Sequence, residues 1–323
     1  MKMEIQPMNK IKLLFLAITT MFLFGCGRSG PSSPSLKREQ LMQVVFPGWA
    51  ASGDKQKQWV EWKETHSDQP KSEKPTFKKY EFFVLPEFVI RLKEDSAILI
   101  THSESPETMK AREEGGFLTP EEIAIGAYWF KKVGENWYLD KRLDEAISIR
   151  GDLVDVIRIS KQGYALVVGS FYKAMGYDIE YINFLEVYDG GLRFMMDDPI
   201  YSHADNLYKS SDCDKLFSLQ PGQSILEKAS PKSHDVCFED EGKWKIAAEG
   251  DQPGDLIVKV NGKHEVSVDL GAETVDDEVD KGNDVDHTFR RSWKPVSGKI
   301  VYQYQGGKYI FHSSTNPEIS LSH

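Results

Sequence analysis

Ser170-Phe171-Tyr172-Lys173 places a serine and a lysine three positions apart, a spacing at which a helix would set the amine beside the hydroxyl and make a nucleophile of it. The pair closes a β-branched and aromatic run, and in a strand positions three apart face opposite sides, so no contact is expected. Asp197-Asp198-Pro199 with His203 and Asp205 is a second candidate. Carboxylates and a histidine near a strand end could share acid–base work if they met within hydrogen-bond reach. An Asp- and Pro-rich turn has the same composition with no chemistry at all. Third is the acidic run Asp276, Asp277, Glu278 and Asp280 with Asp284, Asp286 and His287, since hard cations such as calcium take several carboxylate oxygens from a flexible loop. It lacks the D-x-D-x-D-G order of a calcium loop, and a solvated loop accounts for it equally. G-x-S-x-G, H-E-x-x-H and the P-loop are all missing, which removes the usual entries to serine-hydrolase, zinc-protease and nucleotide chemistry. No catalytic residue, metal or cofactor is therefore expected. His66, His102, His234, His264 and His312 stand singly among polar residues. The aromatics Trp129, Trp137, Tyr138, Tyr172, Tyr177, Tyr181, Tyr188, Tyr302, Tyr304 and Tyr309 either fill a core or line a groove for a protein or a glycan.

The elements that would position these groups are β from Tyr80 onward. Apolar runs 88–92 and 97–101, 123–130 and 137–139, 153–159 and 164–171, and 179–188 and 192–195 are separated by turn residues, among them Lys161-Gln162-Gly163 and Asp189-Gly190-Gly191. A last set reads 256–260, 264–270, 299–304 and 309–311. Asn261-Gly262 is the strongest local signal, because a type I′ turn needs positive φ at both central positions, and it predicts a hairpin there. Glycine just ahead of an aromatic strand recurs at Gly134, Gly191, Gly242 and Gly307. The interval, roughly 50 to 60 residues, fits four-stranded units. The expected fold is mainly β: antiparallel hairpins in serial units near 88–140, 153–196, 204–246 and 256–312, propeller-like or meandering, with two β-sandwich domains as the alternative. Ahead of this body, Leu41, Val44 and Val45 give 37–45 a helical spacing that Pro47-Gly48 stops. Trp59 and Trp62 stand at i, i+3 and suggest a helical turn, so 39–79 reads as helical or irregular.

Residues 10–26, KIKLLFLAITTMFLFGC, run from two flanking lysines through an apolar stretch to a glycine and a cysteine. That is the charged, apolar and small-residue order of a signal peptide, and the stretch is too short for a comfortable membrane span. Leu23-Phe24-Gly25-Cys26 is similar to the lipobox of bacterial lipoproteins. The resemblance implies cleavage of 1–25, a true start at Met8 and diacylglycerol on Cys26. With Gly27 rather than aspartate after the cysteine, it also implies the outer membrane. Residues 27–38, rich in Gly, Ser and Pro, have the composition of a flexible tether. If Cys26 carries lipid, Cys213 and Cys237 remain as an even pair in an exported chain, where a disulfide is the expected state. Two free thiols or half of a metal site stay open as alternatives, though no C-x-x-C accompanies them.

The 323-residue chain is 40% hydrophobic, enough for a packed core, and its formal charge of −10 disfavours nucleic acid and anionic lipid heads while admitting basic partners. Taken together, these features lead to the expectation of a membrane-anchored envelope protein that binds a protein partner without catalysis, an immunity-type neutraliser of a toxin being one form. The alternatives are a hydrolase built on the loop from Asp197 to Asp205 and a structural envelope component.

Overall fold

The computed structural model describes residues 30–64, 76–113, 122–207, 211–229, 236–272 and 287–319. It is mainly β and antiparallel. The first sheet holds β1 (Ser32–Ser33), β2 (Lys57–Glu64), β3 (Thr76–Lys93), β4 (Ser96–Glu104), β5 (Glu122–Val133) and β6 (Asn136–Arg150). From β2 to β6 each strand pairs with the one before, and β1 lies on the outer side of β6. In β4 the run Ala97-Ile98-Leu99-Ile100 shows no polar alternation, which requires burial on both faces. Ala97 and Leu99 pack under helix α1 (Arg38–Val45), while Ile98 and Ile100 meet the second sheet. The expected helix is thus present, with Leu41, Met42, Val44 and Val45 buried.

Trp59 and Trp62 do not form a helical turn. They lie on β2, where the two-residue period sends them to opposite faces: Trp59 is 61% exposed, and Trp62 stacks on Phe82 at 4.9 Å. The far strands β2 and β6 are tied by one side chain. Opposite Gly126 on β5, β6 carries three residues, 144–146. From this bulge Asp144 accepts hydrogen bonds from the Glu61 N–H at 3.0 Å, from Arg142 at 2.7 and 3.0 Å, and from the Tyr128 hydroxyl.

The second sheet contains β7 (Asp152–Arg158), β8 (Tyr164–Ala174), β9 (Tyr177–Tyr188), β10 (Gly191–Phe194), β11 (Ile200–Asp205), β12 (Ile225–Ala229), β13 (Phe238–Ile246), β14 (Leu256–Ala272), β15 (His287–Gln305) and β16 (Lys308–Ser314). Its order is β7-β8-β9-β11-β13-β14-β15-β12, with β10 also on β9 and β16 also on β15. This is the meander form of the expected fold. The expected unit boundaries near 196–204 and 246–256 do not divide it, because β9 pairs with β11 and β13 with β14 across them. Leu166, Val168, Leu185 and Val187 on one face of β8 and β9 pack against the first sheet, and Ala165, Val167 and Phe184 on the other face join the core of the second.

Asn261-Gly262 is not a turn: β14 runs straight through it, paired on both sides. Gly242 likewise sits inside β13, where a Cβ would meet the Tyr201 carbonyl oxygen at 2.5 Å. Both glycines mark close approach, not reversal. Helices α2 (Pro106–Glu113) and α3 (Ser211–Ser218) are short additions. Cys213 of α3 is bonded to Cys237, closing a loop worth about 3 kcal/mol in chain entropy. Beside the bridge, buried Arg291 donates two hydrogen bonds of 2.8 Å to Glu265 and a third to Glu227.

Candidate functional site

The face of β8 and β9 that packs on the first sheet through Leu166 and Leu185 continues, at every second residue, to Tyr172, Ile179 and Tyr181. Beyond the first sheet these rings are uncovered. On the neighbouring strand β11 the register with β9 slips between Tyr201 and His203, so Ser202 is an extra residue. The bulge reverses the side on which later residues point. Tyr201 and Ala204 face the recess opposite Tyr181 and Ile179, whereas His203 and Asp205 turn to the back. Phe238 and Asp240 of β13, paired with His264 and Gly262 of β14, complete the floor.

The result is a recess of about 770 Å³ with four tyrosines in its lining. The Tyr181 and Tyr201 rings lie 5.1 Å apart, Tyr177 and Phe238 6.4 Å, and Phe238 meets the His264 ring edge-on. Burial, with the Tyr201 and Tyr172 phenols nearby, holds the Tyr181 hydroxyl above its ordinary pKa. His264 donates from Nε2 to both Asp240 oxygens, at 3.0 and 3.1 Å. Gly262 makes this possible. A Cβ there would stand 1.9 Å from Asp240 Oδ1 and 2.4 Å from the Glu239 carbonyl oxygen. At the rim, Met175 and Gly176 take positive φ values of 54° and 83° in the β8–β9 turn. For a residue with a side chain this costs about 1 kcal/mol, and it leaves Met175 85% exposed beside the rings.

The charges are one-sided. Asp240, Glu265 and Glu318 line the recess, and no lysine or arginine does among the described residues. Glu265 is committed to Arg291, and Glu318 holds Lys294 at 2.8 Å. The one cysteine in the lining, Cys237, is in the disulfide. Rings and a carboxylate suit binding of a cation with an apolar stem.

Of the acid–base candidates, His203 and Asp205 meet at 2.7 Å, and Asp197 and Asp198 lie apart from them. Asp197 pairs with Lys308 at one end of β11, and His203 with Asp205 lies at the other, about 15 Å of strand away. Asp198 sits with Asp197, near Tyr302. Ser170 and Lys173 diverge as their strand requires, the lysine pairing with Asp178 at 2.7 Å. Cys26 and the acidic residues Asp276, Asp277, Asp280, Asp284 and Asp286 lie outside the described residues. Of the weighed aromatics, Trp129, Trp137 and Tyr309 are core, while Tyr172, Tyr177 and Tyr181 line the recess. Sequence reasoning missed Tyr201, Phe238, Asp240 and His264. The legible signal was the two-residue period in Phe238-x-Asp240 and Gly262-x-His264.

Two further histidines bridge carboxylates. His203 Nε2 is 2.7 Å from Asp205 and its Nδ1 2.9 Å from Glu241. His102 Nδ1 is 2.6 Å from Glu87, and its Nε2 lies 3.2 Å from buried Glu104, a close charge contact and not a well-aligned hydrogen bond. A smaller recess of about 470 Å³ lies between Trp59, Phe77 and Arg142, with charges of both signs in its lining. No protein-family model matches the chain, and neither a curated protein nor a solved structure does.

Proposed function

We propose that the chain is an envelope lipoprotein, held to the outer membrane through lipid on Cys26, that binds a basic segment of a protein partner without catalysing a reaction on it. The observation that carries the binding role is the aromatic, cation-free recess of the second sheet. Uncovered tyrosines with one flanking carboxylate give large rigid contact area at small entropic cost, the composition that concentrates binding energy at interfaces. Charge complementarity selects the partner, because a chain of formal charge −10 attracts a basic surface. The lipid reading rests on residues 10–26 alone.

Two measurements test these parts separately. Cys26→Ala releases the protein from the membrane fraction, and unchanged fractionation would overturn the anchor. For the recess, a photo-crosslinking amino acid replaces Tyr172 or, as control, Val154, which is exposed on β7. In the native envelope, position 172 captures a protein whose yield falls when salt is raised, and position 154 does not. Equal capture at both positions, or none at 172, sinks the binding role.

A further inference from the structure

The recess narrows to one polar point on its floor. Glu265 and Glu318 have arginine or lysine partners outside the lining, and among the described residues the Asp240 carboxylate is held by His264 Nε2, which spans both oxygens and leaves each with further acceptor capacity. Tyr181, Tyr201 and Phe238 share the lining with it. The tyrosine rings are 5.1 Å apart and tilted by 49°, so their faces do not close on each other. The Tyr172 and Tyr201 phenols also stand near Tyr181, so the lining offers hydroxyl oxygens beside its rings.

An ammonium group is a compact, strongly hydrated charge that gains little from flat rings. A guanidinium is planar, loses water more readily, stacks on aromatic faces and presents a fork of donors to carboxylate and hydroxyl oxygens. Its aliphatic stem suits the apolar walls of Ile179, Ala204 and Met175. We infer that the recess receives an arginine side chain from the basic segment of the protein partner, its guanidinium stacked among Tyr181, Tyr201 and Phe238 and directed at Asp240. This rests on the binding role proposed above and specifies its anchor residue.

The test uses the full chain and three small probes: Nα-acetyl-arginine methylamide, its lysine equivalent and the citrulline equivalent, which keeps the shape of arginine and removes the charge. Binding is followed by ligand-observed NMR. The arginine probe binds with a Kd on the order of millimolar, and citrulline binds at least about tenfold more weakly. Asp240→Asn, which preserves the space beside Gly262, weakens arginine about tenfold, and Tyr181→Leu with Tyr201→Leu abolishes the signal. Circular dichroism of each variant separates lost binding from lost folding. Citrulline or lysine binding as tightly as arginine, or no effect of Asp240→Asn, overturns the arginine anchor while the recess can still crosslink its partner from position 172. Failure of that crosslink removes the binding role itself.

Discussion

His102 in the first sheet and His203 in the second are built alike. Each sits in a strand with a carboxylate two residues on, Glu104 or Asp205, and each reaches a second carboxylate from a neighbouring segment, Glu87 or Glu241. What differs is the water. The carboxylates two residues on are both buried, Glu104 at 1% and Asp205 at 7% exposure, whereas the second partner is 27% exposed at Glu87 and 60% exposed at Glu241. Burial alone would lower the pKa of His102, but the charges of Glu104 and Glu87 outweigh it and push the imidazole up to about 9. For His203 the same opposition, burial against Asp205 and Glu241, also ends above the ordinary value. The same three groups are an interior salt bridge in one place and, in the other, one that opens to water at its outer carboxylate. Their energetic weight follows from the surroundings and not from the residue types.

The contrast can be broken most forcefully at His102. His102→Ala leaves Glu104 in the interior without this cation, and urea unfolding should show a loss of about 3–5 kcal/mol. A loss below about 1 kcal/mol would mean the trio behaves as a surface pair. Next in size is the pH dependence. A histidine whose folded pKa lies above its unfolded value contributes fully below the unfolded pKa of 6.5 and loses that contribution as pH rises through about 9. The urea midpoint of the wild type therefore falls from pH 6.5 to 9, and His102→Gln flattens the decline. A midpoint that stays level in the wild type contradicts the assignment. His203→Ala should cost about 1–3 kcal/mol by the same unfolding measurement, because water replaces the imidazole at Glu241 and the buried Asp205 keeps the Leu207 N–H. Smallest is Glu241→Gln, within about 0.5 kcal/mol. If these two effects matched those at His102, the contrast in burial would not be what separates the sites.

Legibility in the sequence followed the range of the interaction. Hairpins closed by local turn chemistry were readable: Gly134 between β5 and β6, Lys161 to Gly163 between β7 and β8, Gly190 between β9 and β10, and Gly307 between β15 and β16 all fall in loops. The paired cysteines, 24 positions apart, were readable for a different reason: only two remain once Cys26 is set aside. Gly242 and Gly262 were misread as turn residues because their meaning lies across the sheet, in the Tyr201 backbone and the Asp240 carboxylate. The recess was half legible. Tyr172, Tyr177 and Tyr181 stood out as strand aromatics, but Tyr201 joins them only because Ser202 bulges, and no local pattern announces that bulge. His102 and His264 looked isolated because their partners Glu87 and Asp240 are 15 and 24 positions away.

The central placement of Asn261-Gly262 also bears on how the molecule ages. In a loose chain this dipeptide is the one most prone to deamidation: the glycine nitrogen attacks the asparagine side-chain carbonyl, a succinimide closes, ammonia leaves, and hydrolysis yields an aspartate or isoaspartate. Closing that ring requires the backbone to bend, and here Asn261 is held between Glu241 and Ser297 while Gly262 is held between Asp240 and Val296. Pairing on both sides therefore acts as a chemical preservative. Prolonged storage under native conditions should leave residue 261 as asparagine by peptide mass analysis, whereas the same storage in urea converts it, adding a negative charge to a strand already facing Glu241.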